Sequence, residues 1–213
     1  MPKKVLIITY YWPPGSGPGV QRFLKFSKYL PQFGWLPSVL TVKNGSYPNT
    51  DETLLKDIPT SVEVHRTKAL EPFTVYNALR GKKGKAVEVG MGNIRNKKSR
   101  FQNFANYIRS NYFIPDARVG WNRYAINRAR KLLQTENFDA IITTGPPHST
   151  HLIGLALKKE FDIPWIADLR DPWTTIYYMR YLKRTKGSHK KDKAFENEVA
   201  QQANALTVVS EGL

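Results

Sequence analysis

Lys4-Val5-Leu6-Ile7-Ile8-Thr9-Tyr10-Tyr11-Trp12-Pro13-Pro14-Gly15-Ser16-Gly17-Pro18-Gly19-Val20-Gln21-Arg22 decides the fold. An apolar, strand-like run breaks into a turn holding three alternate glycines, and an apolar-periodic helix begins directly after it. Glycine lets backbone N–H groups approach a ligand closely, and a helix N-terminus adds a partial positive charge. The stretch can therefore form an anion pocket at the end of the first strand. It matches neither familiar phosphate fingerprint: position 20 is Val20, where G-x-G-x-x-G needs glycine, and no Gly-Lys-Ser/Thr follows. Taken alone, the residues leave two readings open, a ligand loop and a tight strand-to-helix turn.

Outward from this stretch the chain alternates. Strands are predicted at Val5–Tyr11, Pro37–Val42, Val62–Thr67, Ala140–Thr144, Trp165–Asp168 and Ala205–Val209. Several are short continuous apolar runs, as expected where helices cover both faces of a sheet. Helices are predicted at Val20–Phe33, Asn122–Thr135, His148–Glu160 and Lys193–Ala203. The first puts Phe23, Leu24, Ser27 and Leu30 on one face; the second does so with Ala125, Ala129, Leu132 and Leu133. This rhythm specifies an α/β fold with a doubly wound, mostly parallel, Rossmann-like sheet, whose ligands bind beyond the C-terminal strand ends.

The stretch of about 68–120 breaks the rhythm and reads as a basic insertion. It contains Gly81-Lys82-Lys83-Gly84 and Gly90-Met91-Gly92-Asn93, then a helix over Ser99–Phe113 with Phe101, Phe104, Ala105, Ile108 and Tyr112 on one face. That stripe can pack into the domain or lie on an anionic membrane. The net charge of +16 is concentrated: residues 80–131 hold fourteen Lys/Arg against Glu88 and Asp116, and residues 180–193 hold seven against Asp192. Such blocks point to an anionic partner, whether nucleic acid, acidic headgroups or a phosphorylated substrate.

At 213 residues the chain fits one large domain, or two small ones at most. The absence of cysteine excludes a disulfide scaffold, a thiol nucleophile and a Cys-based metal site. No apolar run reaches the roughly 18 residues of a membrane span. The N-terminus lacks signal-peptide character, so a cytoplasmic location is expected, with peripheral association at the inner membrane face as an option.

Two further segments carry possible chemistry at strand ends. In Thr143-Thr144-Gly145-Pro146-Pro147-His148-Ser149-Thr150-His151, His148 and Ser149 would sit over the sheet edge, where they can meet a hydroxyl. The bland alternative is helix capping by Ser149 or Thr150, with His151 at the surface or in a helix seam. In Pro164-Trp165-Ile166-Ala167-Asp168-Leu169-Arg170-Asp171-Pro172-Trp173, alternation puts Asp168 and Arg170 on one side, where they can pair, and leaves Asp171 for a ligand. His65 and His189 have no supporting context.

The ordered set of these motifs resembles the N-terminal half of family 4 glycosyltransferases of the GT-B fold. The resemblance is carried by Tyr10-Tyr11-Trp12-Pro13-Pro14-Gly15-Ser16-Gly17-Pro18-Gly19-Val20-Gln21-Arg22, Gly34–Thr41, Ile114-Pro115-Asp116-Ala117-Arg118-Val119-Gly120-Trp121, Gly145–His151, Asp168–Trp173, Phe195-Glu196 and Ala205–Glu211. It covers most of the chain and is weakest over 68–113. It implies an acceptor-side Rossmann-like domain over 1–213, with the donor-binding half and its paired glutamates outside the sequence, and no activity from this part alone. It further implies retaining, metal-independent transfer of a sugar from a nucleotide-sugar to a saccharide or lipid-linked acceptor in surface polysaccharide or glycolipid synthesis, with no cofactor. On that implication Asp171 and His148 are the catalytic candidates, and Gly15, Gly17, Gly19, Arg22, Ser149 and Arg170 bind substrate. The family often carries a histidine after the fifth strand, where this chain has Arg170-Asp171. Two other classes compete: a basic nucleic-acid-binding module, for which no motif appears, and a nucleotide-sugar epimerase of the same fold.

Overall fold

The computed structural model describes residues 2–70 and 100–210. Six strands form one parallel sheet: β1 (Lys3–Ile8), β2 (Trp35–Val42), β3 (Glu63–Thr67), β4 (Ala140–Gly145), β5 (Trp165–Leu169) and β6 (Ala205–Val208), in the order β3-β2-β1-β4-β5-β6. Helices α1 (Pro18–Tyr29), α2 (Arg100–Tyr112), α3 (Asn122–Thr135), α4 (Ser149–Phe161) and α5 (Lys186–Gln202) connect or flank them. The order reverses direction between β1 and β4, and this switch point is where such sheets open a crevice. The expected doubly wound, Rossmann-like fold is the observed one.

The period of two along each strand divides the core. Ile7 and Val39 face α1, where they pack with Val20, Phe23, Leu24, Trp12, Leu54 and Val62. Leu6, Ile8, Leu40, Ile141, Trp165 and Ala167 face the other way, against Ala125, Ala129 and Leu132 of α3, Ile153 and Leu157 of α4, and Val199 of α5. Ile7↔Val39 and Ile7↔Ile142 pair across the first three central strands, so one face carries a continuous apolar row.

Element limits shift from the sequence expectation for local reasons. β1 ends at Ile8, and Tyr10 and Tyr11 lie beyond it, because the chain must turn towards Pro13-Pro14. The first helix starts at Pro18, where proline's fixed φ suits a helical first turn, and tightens into a 3₁₀ turn over Leu30–Phe33 before Gly34 at φ 78°. α5 begins seven residues before the expected Lys193, because the Thr185 hydroxyl accepts the Ser188 amide and caps it. The helix expected over 99–113 is present as α2; Ile108 is half-buried and Tyr112 is exposed, whereas the side chains of Phe101, Phe104 and Ala105 lie outside the described residues. The two glycine-containing loops at 81–84 and 90–93 lie outside them as well. The two ends of the irregular stretch meet: the Leu70 amide donates to the Gly120 carbonyl, and Trp121 Nε1 to Thr67 Oγ1 at 2.8 Å. Among the described residues no helix is long and apolar enough to cross a membrane.

Candidate functional site

The glycine loop is fixed from both sides. The Gly15 amide donates to the Trp12 carbonyl, Ser16 N to the Asn49 carbonyl, and Asp51 N to the Pro14 carbonyl, so the loop is held against the chain that follows β2. Gly17 has φ 122°, which side-chain-bearing residues rarely adopt, and it precedes the first turn of α1. That turn holds no acidic residue and no side chain caps it, so its partial positive charge is offset by no local carboxylate.

Arg170 joins this loop to the ends of β4 and β5. Its Nε donates to the Gly145 carbonyl at 3.1 Å and its Nη2 to the Pro146 carbonyl at 2.6 Å. Its Nη1 lies where a Cβ on Gly19 would be, only 1.7 Å from that position. Gly19 is therefore required as a seat for the guanidinium, a role distinct from backbone freedom. Burial lowers the Arg170 pKa from its ordinary value, with Asp168, Asp171 and Tyr11 acting in the opposite sense. Asp171 is half-buried beside it.

Arg22 is placed differently from the sequence expectation of a ligand contact. Its Nη2 and Nε donate to Asp168 Oδ1 at 2.7 and 3.2 Å, and its guanidinium covers the Phe26 ring. Asp168 is 1% exposed and also accepts the hydroxyls of Thr144 and Thr207 at 2.9 and 2.7 Å. The ion pair expected between Asp168 and Arg170 is thus made by Arg22, leaving Arg170 to the carbonyls. The physical reason is reach: the long Arg22 side chain extends from the N-terminal part of α1 to the buried carboxylate near the end of β5.

Ser149 is likewise engaged. It is fully buried, its hydroxyl donates to Asp116 Oδ1 at 2.8 Å, and its amide donates to Asp116 Oδ2 at 2.8 Å. Asp116 thereby caps α4 from a distant loop, and Ser149 is not presented to the crevice. No side chain of the local sequence could reveal this; the cap comes from 33 residues upstream.

His148 sits at the base of the crevice, stacked on the Trp173 indole at 4.9 Å with planes 9° apart. Both its ring nitrogens are buried without a hydrogen-bond partner among the described residues. Burial, and then Arg170, depress its pKa to about 3; the nearby Pro172 backbone favours the charged ring without reaching hydrogen-bonding geometry. His151 is wholly buried in the seam between α4 and the sheet; its Nδ1 meets Thr143 Oγ1 at 2.9 Å, and Thr143 Oγ1 also accepts Trp165 Nε1. Burial likewise holds its pKa well below the usual range. Both imidazoles are neutral near pH 7 and crowd Gly145.

Three residues that the sequence did not single out complete the site. Trp173 is anchored by Nε1 donating to Asp192 Oδ1 at 2.9 Å, and Asp192 is paired with Arg184. Asp116 holds the start of α4. Arg118 covers the Tyr10 ring, donates to the Ser46 carbonyl at 3.0 Å, and partly offsets the burial that pushes the Tyr11 pKa up. The available signal for Asp116 and Arg118 was their pairing two residues apart just ahead of Trp121 in the motif Ile114–Trp121.

At the opposite edge of the sheet, Glu63, His65 and Glu136 have ligand atoms within 4.8 Å of one another. Arg128 Nη2 lies 3.1 Å from His65 Nδ1, and Lys4 pairs with Glu136 at 3.3 Å. Lys4 already neutralises Glu136, and His65 Nδ1 is occupied by Arg128 and by Glu63 at 3.4 Å, so the cluster is a polar network fixing β3 to the end of α3 rather than a cation pocket.

Neither the protein-family models nor the curated proteins give a match to the chain. Among solved structures it is similar to ligand-free UGT2 of Phytolacca americana, at 13% identity and TM-score 0.46, over 97% of this chain and 46% of that one. UGT2 of the same organism, complexed with UDP-2-fluoroglucose and pterostilbene, is similar at 14% identity and TM-score 0.45, over 98% and 48%. A UDP-glucosyltransferase from Polygonum tinctorium capable of glucosylating indoxyl, in complex with 3,4-dichloroaniline, is similar at 13% identity and TM-score 0.41, over 91% and 34%. The chain spans less than half the length of each.

Proposed function

We propose that this chain is the acceptor-side, Rossmann-like half of a GT-B glycosyltransferase. The observation that carries the reading is the meeting of three groups at the β1/β4 switch point. An uncapped helix N-terminus, the Arg170 guanidinium seated on Gly19, and the neutral, unpartnered His148 ring all stand at the C-terminal edge of one parallel sheet. A sugar transfer from a nucleotide donor needs such a set: donors aimed at a departing diphosphate, and a polar wall beside the sugar that excludes competing charge.

In this reading the α1 N-terminus and Arg170 stabilise the diphosphate as the glycosidic bond breaks, and fixed positive groups supply the electrophilic help. Gly15, Gly17 and Gly19 keep side chains out of the approach. His148, as a neutral ring, orients a sugar hydroxyl; Asp171 faces the acceptor. We assign the reaction to the retaining, metal-independent, family 4 type on the motifs quoted above. The acceptor would be a saccharide or a lipid-linked saccharide in surface polysaccharide or glycolipid assembly, at the cytoplasmic membrane face. Neither nucleic acid nor a dissociable cofactor has a role.

Calorimetry with a panel of nucleotide sugars, and transfer of labelled sugar to lipid-linked and free saccharides, test the reading. Binding that Arg170→Ala removes, and a product with the donor's anomeric configuration, support it. Tight NAD binding with sugar epimerisation, or salt-sensitive retention on nucleic acid without nucleotide-sugar binding, would overturn it.

A further inference from the structure

The outer side of α1 and the turn after it carry apolar rings that the fold leaves in solvent. Phe26 is 41% exposed, Tyr29 46% and Phe33 76%. Their spacing of i, i+3 and i+7 sets them along one line of the helix and its 3₁₀ extension. Leu36, at the start of β2, adds a further 38% exposed side chain. None of them serves the crevice chemistry, and single exposed rings would need no explanation, but a row of three does.

Beside this row runs a groove of about 320 Å³ lined by Leu24, Lys25, Lys28, Lys56, Asp57 and Ile58, among others. Three ammonium groups thus surround it against a single carboxylate. Lys28 also lies over the Tyr29 ring at 5.9 Å, and Lys3 over Trp35 at 5.4 Å, so cations border the aromatic row.

We infer that this face docks on an anionic lipid bilayer, with the lysine groove taking a lipid phosphate and the Phe26/Tyr29/Phe33 row entering the headgroup–acyl boundary. Charge complementarity selects the occupant: a surface of lysines beside apolar rings suits acidic headgroups above hydrocarbon. A nucleic-acid platform would stack bases within a groove, whereas Phe33 projects from the outer end of the helix and the groove itself is lined by lysines. The inference goes beyond the transfer reading and does not depend on it, since vesicle binding requires no nucleotide sugar.

Co-sedimentation with phosphatidylcholine vesicles, with and without phosphatidylglycerol, tests it. Binding should require phosphatidylglycerol and weaken with added salt. Charge reversal at Lys25, Lys28 or Lys56 (Lys25→Glu, Lys28→Glu, Lys56→Glu) should each weaken it by about fivefold. Phe33→Ser should weaken it by about tenfold at low and high salt alike, since the lost contribution is apolar. Four results would overturn the proposal. They are equal binding to neutral vesicles, binding that all four variants retain, Phe33-dependent self-association without vesicle binding, and preferential retention on nucleic acid lost in the same lysine variants. The second would assign the contact to one of the two basic stretches, 80–131 or 180–193.

Discussion

Two arginines from one corner of the fold do opposite work. Arg22 neutralises a carboxylate that is 1% exposed, and its own side chain is 26% exposed. Arg22→Ala would leave Asp168 with only the Thr144 and Thr207 hydroxyls. The expected loss is about 2–3 kcal/mol, at or below the ~3–5 kcal/mol of a fully buried pair, because water reaches the arginine side. Urea unfolding measures it, and Arg22→Lys should recover part. Arg170, by contrast, is anchored on carbonyls and keeps Nη1 over Gly19. Gly19→Ala would push the guanidinium aside while leaving the helix intact, since alanine favours helix. It should remain folded and weaken nucleotide-sugar binding about tenfold, the order of one charge-assisted hydrogen bond. Unchanged affinity in calorimetry would separate Arg170 from the ligand.

At the scale of elements, α4 owes its register to a residue outside it. Asp116 accepts both the amide and the hydroxyl of Ser149 and also the Arg118 amide. Asp116→Ala should therefore cost about 2 kcal/mol, a lost cap plus a buried hydroxyl without its acceptor. It should also release His148, seen as a changed imidazole chemical shift. Asp116→Asn should retain much of the stability, because an amide oxygen still accepts. This cap also explains which features the sequence could reveal. Strands show as apolar runs and α3 as a stripe of Ala125, Ala129 and Leu132, because burial on one face imposes a local period. The position of the glycine loop, His148 and Arg170 at strand ends follows from the same alternation. What links them does not. Arg22 meets Asp168 across 146 residues, and Ser149 meets Asp116 across 33, and no period encodes a contact between distant polar side chains. Hence the sequence offered Arg22 as a ligand contact and Ser149 as a ligand contact or a helix cap, and it could not show the internal partners that each has. The early start of α5 was hidden for a related reason: Thr185 is a cap inside a lysine-rich run that reads as loop.

For the molecule as a whole, the buried imidazoles make stability depend on acidity. His148 and His151 are both neutral in the fold, the first with its pKa near 3 and the second well below its ordinary 6.5, with burial the leading cause for each. His65 is lowered in the same way, with Glu63 acting against the shift. In the unfolded chain each ring regains a pKa near 6.5. Above that value neither state binds a proton, and the histidines add no pH dependence. Below it the unfolded chain takes up protons that the folded chain refuses, so stability falls as pH falls, at about 1.4 kcal/mol per pH unit for each fully titrating ring. For His148 the loss continues until pH approaches its folded value of about 3. Asp192 acts in the opposite sense, because burial raises its carboxyl against the pull of Arg184, so this one group offsets part of what the three rings lose. Between about pH 6.5 and 5 the histidines therefore dominate. Urea unfolding across that window should show stability dropping by about 2–3 kcal/mol per pH unit. His148→Phe, which keeps a flat ring against Trp173, should reduce that slope by about 1.4 kcal/mol per pH unit. A flat profile in the parent chain would mean that these rings carry protons in the fold. His148 could not then be the neutral wall of the proposed sugar site.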